Sequence, residues 1–295
     1  MSALFRITLL GTGVPIPRPD RFGPSTLIEA GEQTVLIDAG RGATIRLFQL
    51  GIPIGRINAL LLTHFHSDHT VGIPDLWLTG WLSSHFAARK GPFHVIGPVG
   101  TSTMMRHLEA AYAPDIEIRV EDEKLARENV AITVEEFASD GPVYETGDLR
   151  IIAFTVDHGD AIKPAYGYRI DYQDHVAVIS GDTRYNENVV RYAKGADLLV
   201  HEVAMARPEL LGDPHIQRIV NHHTSPREAG LIFTRARPKL AAFTHVVMLA
   251  SEAVGPPSVE ELVAATRETY DGPLVVGEDL MSFEIADTVT VRRPG

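Results

Sequence analysis

The 295-residue chain contains no cysteine. That excludes disulfide bridges, Fe–S clusters and a thiol nucleophile. No apolar run reaches the length that spans a bilayer. The first residues, Met1 to Leu10, have neither a basic region nor a sustained apolar stretch. They read as a first strand rather than a signal peptide, so a cytoplasmic protein with no membrane partner is expected. Repeats and low-complexity segments are absent. So is any Lys/Arg-rich block: 38 acidic against 27 basic residues leave a net charge of −11. A duplex or tRNA binder usually shows a basic face, and this balance argues against a large nucleic-acid substrate.

What the chain does have is histidine in one place. Thr63-His64-Phe65-His66-Ser67-Asp68-His69 puts three histidines and a carboxylate within six residues, directly after the apolar run Ile57–Leu62. A lone histidine is more often packed or solvated than ligating. A cluster this dense, on a loop held by a buried strand, suits zinc, iron or manganese. Further candidates follow other apolar runs. His158 comes after Ile151–Asp157, Asp182 after Val176–Ile179, and His245 after Leu240–Thr244.

The pattern HxHxDH, with Leu10-Gly11-Thr12-Gly13, Leu36-Ile37-Asp38-Ala39-Gly40 and Gly181-Asp182-Thr183 in the same order, resembles the metallo-β-lactamase superfamily. The opening, with Pro15 and Pro17, resembles its ribonuclease Z-like and arylsulfatase-like branches. The resemblance implies an α/β fold, a four-layer αβ/βα sandwich, formed by residues 1–295 as a single domain. It implies a dinuclear site with two Zn2+, Mn2+ or Fe2+ being possible. His64, His66 and His158 would hold the first ion, Asp68, His69 and His245 the second, and Asp182 would bridge both. A metal-bridging hydroxide would be the nucleophile. Asp182 also separates this chain from true β-lactamases, which lack that carboxylate.

His201-Glu202 and His223-Thr224-Ser225 resemble the ribonuclease Z-like branch's second layer. Carried over, His223 is the general acid and Glu202 orients it, with His222 as a fallback; Asp68 completes the candidate catalytic residues. His85, His94, His107, His175 and His215 read as structural or solvated, with His85 and His215 also able to border the pocket. Gly11-Thr12-Gly13 is not a dinucleotide loop, because the remaining glycine spacing is missing. Gly277-Glu278-Asp279 has no chemistry that the sequence can assign.

Two departures from ribonuclease Z stand out. That family carries a long basic arm for tRNA between the Gly-Tyr-Arg strand and the Gly-Asp-Thr turn, whereas here Gly167-Tyr168-Arg169 and Asp182 are separated by a short interval. The Ser-Arg-Tyr that often follows the last metal histidine is replaced by Val246-Val247-Met248. The expectation is therefore a hydrolase of small phosphodiesters or aryl sulfates. A lactonase is the alternative, and a tRNA 3′ endonuclease or a non-catalytic metal-binding module ranks lower. The expected partner is a small-molecule ester, with no large nucleic acid, and the expected assembly is a homodimer.

Strands are expected at Phe5–Leu10, Thr26–Ala30, Thr34–Ile37, Phe93–Ile96, Leu149–Val156, Ala165–Ile170, Val176–Ile179, Leu198–Val203 and Leu240–Phe243. Helices are expected over Arg41–Leu50 and Thr101–Ala111. Two more start at the capping boxes Ser225–Glu228 and Ser258–Glu261, the second running to about Tyr270. Ile116–Tyr144 reads as an irregular insertion with a strand near Val130–Phe137.

Overall fold

The computed structural model describes residues 4–294. The first half of the chain supplies β1 (Phe5–Gly11), β2 (Ser25–Ala30), β3 (Gln33–Ile37), α1 (Ala43–Gln49), β4 (Ala59–Leu61), α2 (Ser67–Thr70), α3 (Ile73–Trp81), β5 (Phe93–Pro98), α4 (Thr101–Asp122) and β6 (Ile132–Phe137). The second half supplies β7 (Gly141–Thr146), β8 (Leu149–Thr155), β9 (Tyr166–Tyr172), β10 (His175–Ile179), α5 (Glu187–Tyr192), β11 (Leu198–Met205), α6 (Pro214–Val220), α7 (Pro226–Ala236), β12 (Leu240–Met248), α8 (Val259–Arg267) and β13 (Leu274–Val276). Then β14 (Ser282–Ile285) and β15 (Val289–Arg292) return to the first sheet.

The two sheets run β15-β14-β1-β2-β3-β4-β5-β6 and β13-β12-β11-β10-β9-β8-β7. Each is antiparallel on one side and parallel on the other: β3 to β6 are parallel in the first, β10 to β13 in the second. The inner faces meet in a shared core that takes Ile7, Leu9, Val35, Ile37 and Leu61 from one sheet and Ile151, Tyr168, Ile170, Ala177 and Ile179 from the other. The outer faces carry helices, with Leu60, Leu62, Leu76 and Trp77 packing on one side and Val178, Leu199, Ile232 and Phe233 on the other. This is the expected four-layer αβ/βα sandwich. It also explains the uninterrupted run at Leu60-Leu61-Leu62: a central parallel strand buries both faces, so polar alternation disappears.

Both capping boxes are present. Ser225 accepts from the Glu228 backbone N–H while the Glu228 carboxylate accepts from Ser225 N, and Ser258 and Glu261 repeat the pattern. Behind the first box, Ala229, Ile232, Phe233 and Ala236 recur at helical spacing and are buried. α8 ends at Arg267, short of Tyr270. The largest departure is α4. It runs to Asp122 through Pro114, twice the expected length, and buries only Thr101, Met105 and Ile116. A helix so exposed carries no apolar stripe from which to read its extent. The segment beyond it is pinned by α3, whose Trp77 and Trp81 indole N–H groups donate to the carbonyls of Val130 and Ala126 at 2.7 and 3.0 Å. β7, a partly exposed edge strand, begins inside the expected irregular insertion and runs past its end at Tyr144. No helix among the described residues is long and apolar enough to cross a membrane.

The return of β14 predicts that the C-terminal segment is integral to the shared core. Phe283 is fully buried between the sheets. Phe283→Ala should destabilise the fold by about 3–5 kcal/mol, measured by urea unfolding. A loss under about 1 kcal/mol would mean that β14 merely rests on the sheet.

Candidate metal centre

The metal centre forms at one end of the seam between the sheets, where the loops after β3, β4, β8 and β10 meet a bulge in β12. After β4 the chain enters α2 with His66 as its N-cap, which turns Asp68 and His69 inward. Asp182 follows Gly181, whose φ of 62° suits glycine. A Cβ there would stand 2.3 Å from the Tyr166 carbonyl oxygen, so glycine lets the turn close against β9. His245 does not end its strand. β12 continues to Met248, and the β11–β12 register slips by one at His245. The bulged residue has φ 43°, a left-handed conformation that costs a non-glycine residue energy. Bulges of this kind re-aim a side chain, and here the imidazole swings toward Asp68 and Asp182.

The seven expected ligand residues converge. His64, His66, His158 and Asp182 form one group and Asp68, His69 and His245 a second, with potential ligand atoms within 4.8 Å of one another in each. His66 Nδ1 lies 3.3 Å from His158 Nε2. His69 Nε2 is 3.3 Å from Asp182 and 3.7 Å from Asp68. His245 Nε2 is 3.2 Å from Asp182 and 3.3 Å from Asp68. Ligands about 2.0–2.1 Å from a tetrahedral zinc lie roughly 3.4 Å apart, so these spacings match the edges of a coordination polyhedron. The donor set fits a metal in a second way. His64 Nε2 and His69 Nε2 are buried and have no hydrogen-bond partner. Buried polar atoms rarely stay unpaired.

The opposite ring nitrogens are already engaged. His69 Nδ1 donates to Asp38 at 2.7 Å, His158 Nδ1 donates to the His222 carbonyl at 2.9 Å, and His64 Nδ1 pairs with the Thr63 hydroxyl at 2.9 Å. Each contact fixes the ring and turns Nε2 toward the centre. Burial, partly offset by Asp182, pushes His158 down to about 4 and His64 well below its ordinary value, so both are neutral. His69 moves the other way. Burial opposes its charge, but Asp182 and Asp38 outweigh it and raise the pKa well above normal.

Asp38 is a residue that the motif reading named without a role. It has φ 59° and accepts from His69, from Thr63 N and from the Thr63 hydroxyl, the last two at 2.8 Å. Asp279 was also unassigned. Its buried carboxylate accepts from Thr12 N and Oγ1 at 2.8 Å and from Phe22 N and Arg46 at 2.7 Å. Thr12 O in turn accepts from Val246 N, beside His245. Asp279 therefore pins the loop between β1 and β2 against the metal centre, a role visible only once residues 267 apart in sequence are in contact.

His223 stands at the rim, its ring 5.0 Å from that of His158 and 5.4 Å from that of His245. Its Nδ1 is 3.2 Å from Glu202, aligned as an ion pair rather than a hydrogen bond. Burial alone would lower its pKa, but the charges of Glu202 and Asp182 raise it to about 9. Glu202 is fully buried and also accepts from Thr183 N and Thr224 N at 3.1 and 3.0 Å. His222 offers the centre its carbonyl rather than its ring. His201 points away, into the core beside Phe233. His94 and His175 pair with Glu135 and Asp197. Distance alone also groups His223 with Asp182 and His245.

A family model described as a β-lactamase superfamily domain matches residues 33–246. The fold is similar to that of the metallo-β-lactamase fold protein YhfI from Bacillus subtilis, with a TM-score of 0.72, 18% identity and coverage of 96% of this chain and 100% of that one. It is also similar to the short form of human tRNase Z, with a TM-score of 0.67, 21% identity and coverage of 94% and 98%. The curated ribonuclease Z of Mycobacterium bovis (strain BCG / Pasteur 1173P2) is 36% identical over 285 residues, 96% of this chain and 99% of that protein. The fold and centre define a metal-dependent hydrolase of ester bonds. The chain belongs to the metallo-β-lactamase superfamily, in its ribonuclease Z-like branch.

These relatives overturn one expectation, that of a small-molecule ester substrate with no large nucleic acid. The missing arm is genuine: β9 ends at Tyr172 and β10 begins at His175. Its absence does not by itself exclude an RNA, which other surfaces can hold. Net charge misled because it sums over the whole surface, whereas phosphates are bound by local patches.

The contact between Asp38 and His69 yields a prediction. Asp38→Asn should keep the fold but weaken metal binding by about 10–100-fold, the usual cost of losing a carboxylate behind a ligating histidine. Competition with a chromophoric chelator measures this. Wild-type affinity in the variant would show that the carboxylate only braces Thr63.

Proposed function

We propose that this chain is a dinuclear zinc phosphodiesterase that cleaves RNA near a 3′ end, acting in the cytoplasm as one domain of residues 1–295. In this reading His64, His66 and His158 would hold one ion and Asp68, His69 and His245 the other, with Asp182 placed to serve both. When bound, the paired cations supply a water activated near neutral pH and neutralise charge on the phosphoryl oxygens. Asp38, Thr63 and the His222 carbonyl keep the ligating rings in place.

The observation that carries the reading is the pairing of His223 with Glu202 at the rim of the ligand cluster. An activated ester, such as a nitrophenyl diester, expels its leaving group unaided. A ribose oxygen leaves as a poor alkoxide and needs a proton. His223, kept protonated by Glu202, stands where it can give one: the phosphorus–oxygen bond to the ribose breaks, and the His223 proton goes to the departing oxygen. The names of the relatives across nearly the whole chain support RNA over aryl sulfates or lactones.

The test uses zinc-loaded protein with two substrates, a precursor RNA with a 3′ trailer and bis(p-nitrophenyl) phosphate. Wild type should cleave both and hold close to two ions per chain; one ion or none after reconstitution would sink the dinuclear reading. His223→Ala should lower RNA cleavage by roughly 10²–10⁴-fold, the usual range for general acid catalysis, and leave the nitrophenyl diester little affected. Metal content should stay unchanged. Equal losses on both substrates, or a lost ion, would make His223 a ligand rather than an acid. Because Glu202 raises the pKa of His223, activity that needs the protonated ring falls as pH rises through that pKa. Glu202→Gln should therefore move the alkaline limb of the RNA rate profile to lower pH.

A further inference from the structure

α5 and α7 lie side by side on the outer face of the second sheet, each following a segment that carries residues of the centre. α5 follows the turn that carries Asp182, and α7 follows His223 and Thr224. The length of α5, the loop after it and the last turn of α7 enclose a cleft of about 840 Å3 that includes Arg191, Lys194, Thr234, Arg235 and Arg237 in its lining, with Glu187 the one carboxylate there. Four cations against one acid is the reverse of the balance of the whole chain. Glu187 is held by Arg235 at 2.5 and 2.9 Å, and Arg191 reaches Asp140 at 3.5 Å. Lys194 and Arg237 are exposed and make no ion pair among the described residues.

Cations near a helix C-terminus gain from the helix dipole, which accounts for Arg191 and Arg235 in the last turns of α5 and α7. It favours Arg237 as well, but does not account for the conformation of that residue. That residue caps α7 with φ 54° in the left-handed region, a position where glycine is usual and an arginine is strained. Strain tolerated at an exposed, unpaired cation beside a cleft points to a use for the charge.

We propose that this cleft binds the phosphate backbone of the RNA substrate, in place of the arm missing between Arg169 and Asp182. The proposal rests on the ribonuclease reading above. Eleven residues of α7, at about 1.5 Å each, carry the surface about 16 Å from the His223 end. That is within reach of a stem whose 3′ end lies at the metal centre. Lys194 and Arg237 meet phosphate oxygens, and Arg235, already oriented by Glu187, stands beside them. The cleft holds backbone phosphate without reading bases, so it supplies affinity and register and leaves the choice of bond to the metal centre.

The experiment compares wild type with Lys194→Glu/Arg237→Glu and the milder Lys194→Gln/Arg237→Gln, all zinc-loaded. The probe is a fluorescent RNA hairpin with a single-stranded 3′ tail. The charge reversal should raise KM for RNA about tenfold or more, leave kcat unchanged and flatten the salt dependence of binding by about one per phosphate contact removed. Anisotropy should report the same loss of binding, with the glutamine pair following in the same direction and less far. Turnover of bis(p-nitrophenyl) phosphate should stay at wild type, which also checks folding. Unchanged RNA affinity and salt dependence in the reversed variant would overturn the cleft and leave the ribonuclease reading standing. If wild type bound the hairpin without cleaving any RNA, the ribonuclease reading would fail, and the binding comparison would still decide the cleft. If wild type bound no RNA, both would fall.

Discussion

Buried negative charge concentrated at the seam between the sheets governs the rest of this structure. Asp38, Asp68, Asp182 and Glu202 are all nearly inaccessible to water. An isolated carboxylate in that environment is too costly to keep ionised. Each is therefore answered by something specific. Asp38 takes a histidine, a hydroxyl and a backbone N–H. Glu202 takes two backbone N–H groups and His223. Asp68 and Asp182 face the imidazoles of His69 and His245, and the inward Nε2 atoms of His64 and His69 have no hydrogen-bond partner, which leaves a cation as the natural counter-charge. The sandwich provides the two rigid sheets that hold these demands in register.

The parts of this arrangement that could be read from sequence are those where local pattern and local structure coincide. HxHxDH is one loop and one short helix, so its ligands are neighbours in sequence and in space. The buried strands show as apolar runs because both faces are covered. The capping boxes show because a helix start is a three-residue event. What escaped was long-range or unpatterned. Asp279 looked like an acidic turn until Thr12, Phe22 and Arg46 were seen to converge on it. α4 buries three side chains in 22 residues and so carries no period. The His245 bulge arises from a register slip against β11, which nothing in Phe243-Thr244-His245-Val246 announces. His201 and Glu202 form one motif, yet adjacent strand residues face opposite sides, and only Glu202 reaches His223 at the rim.

Net charge failed as a guide for a related reason. A sum over 295 residues cannot separate carboxylates committed to a buried metal cluster from those spread over the surface. At least four of the acids counted in the −11 lie in or behind the centre, where bound cations would offset them. The charge that an approaching polyanion meets is therefore less negative than the formula suggests, and it varies from face to face.

Glu202 links support and chemistry in one side chain. One of its oxygens ties the Asp182 turn to the Thr224 turn, and the other faces the histidine at the rim. A group that only oriented His223 could stand anywhere behind the ring. A group that only tied turns could be neutral, as an amide is. Because one carboxylate does both, any movement that reshapes the Asp182 turn is transmitted to His223, and the position of Asp182 and the basicity of His223 are set together. Such coupling suits a reaction in which charge builds on phosphoryl oxygen and leaving oxygen at the same moment. It also explains why this acid is buried on the rigid β11 rather than carried on a loop: a shift that a flexible support would absorb is here passed to both groups.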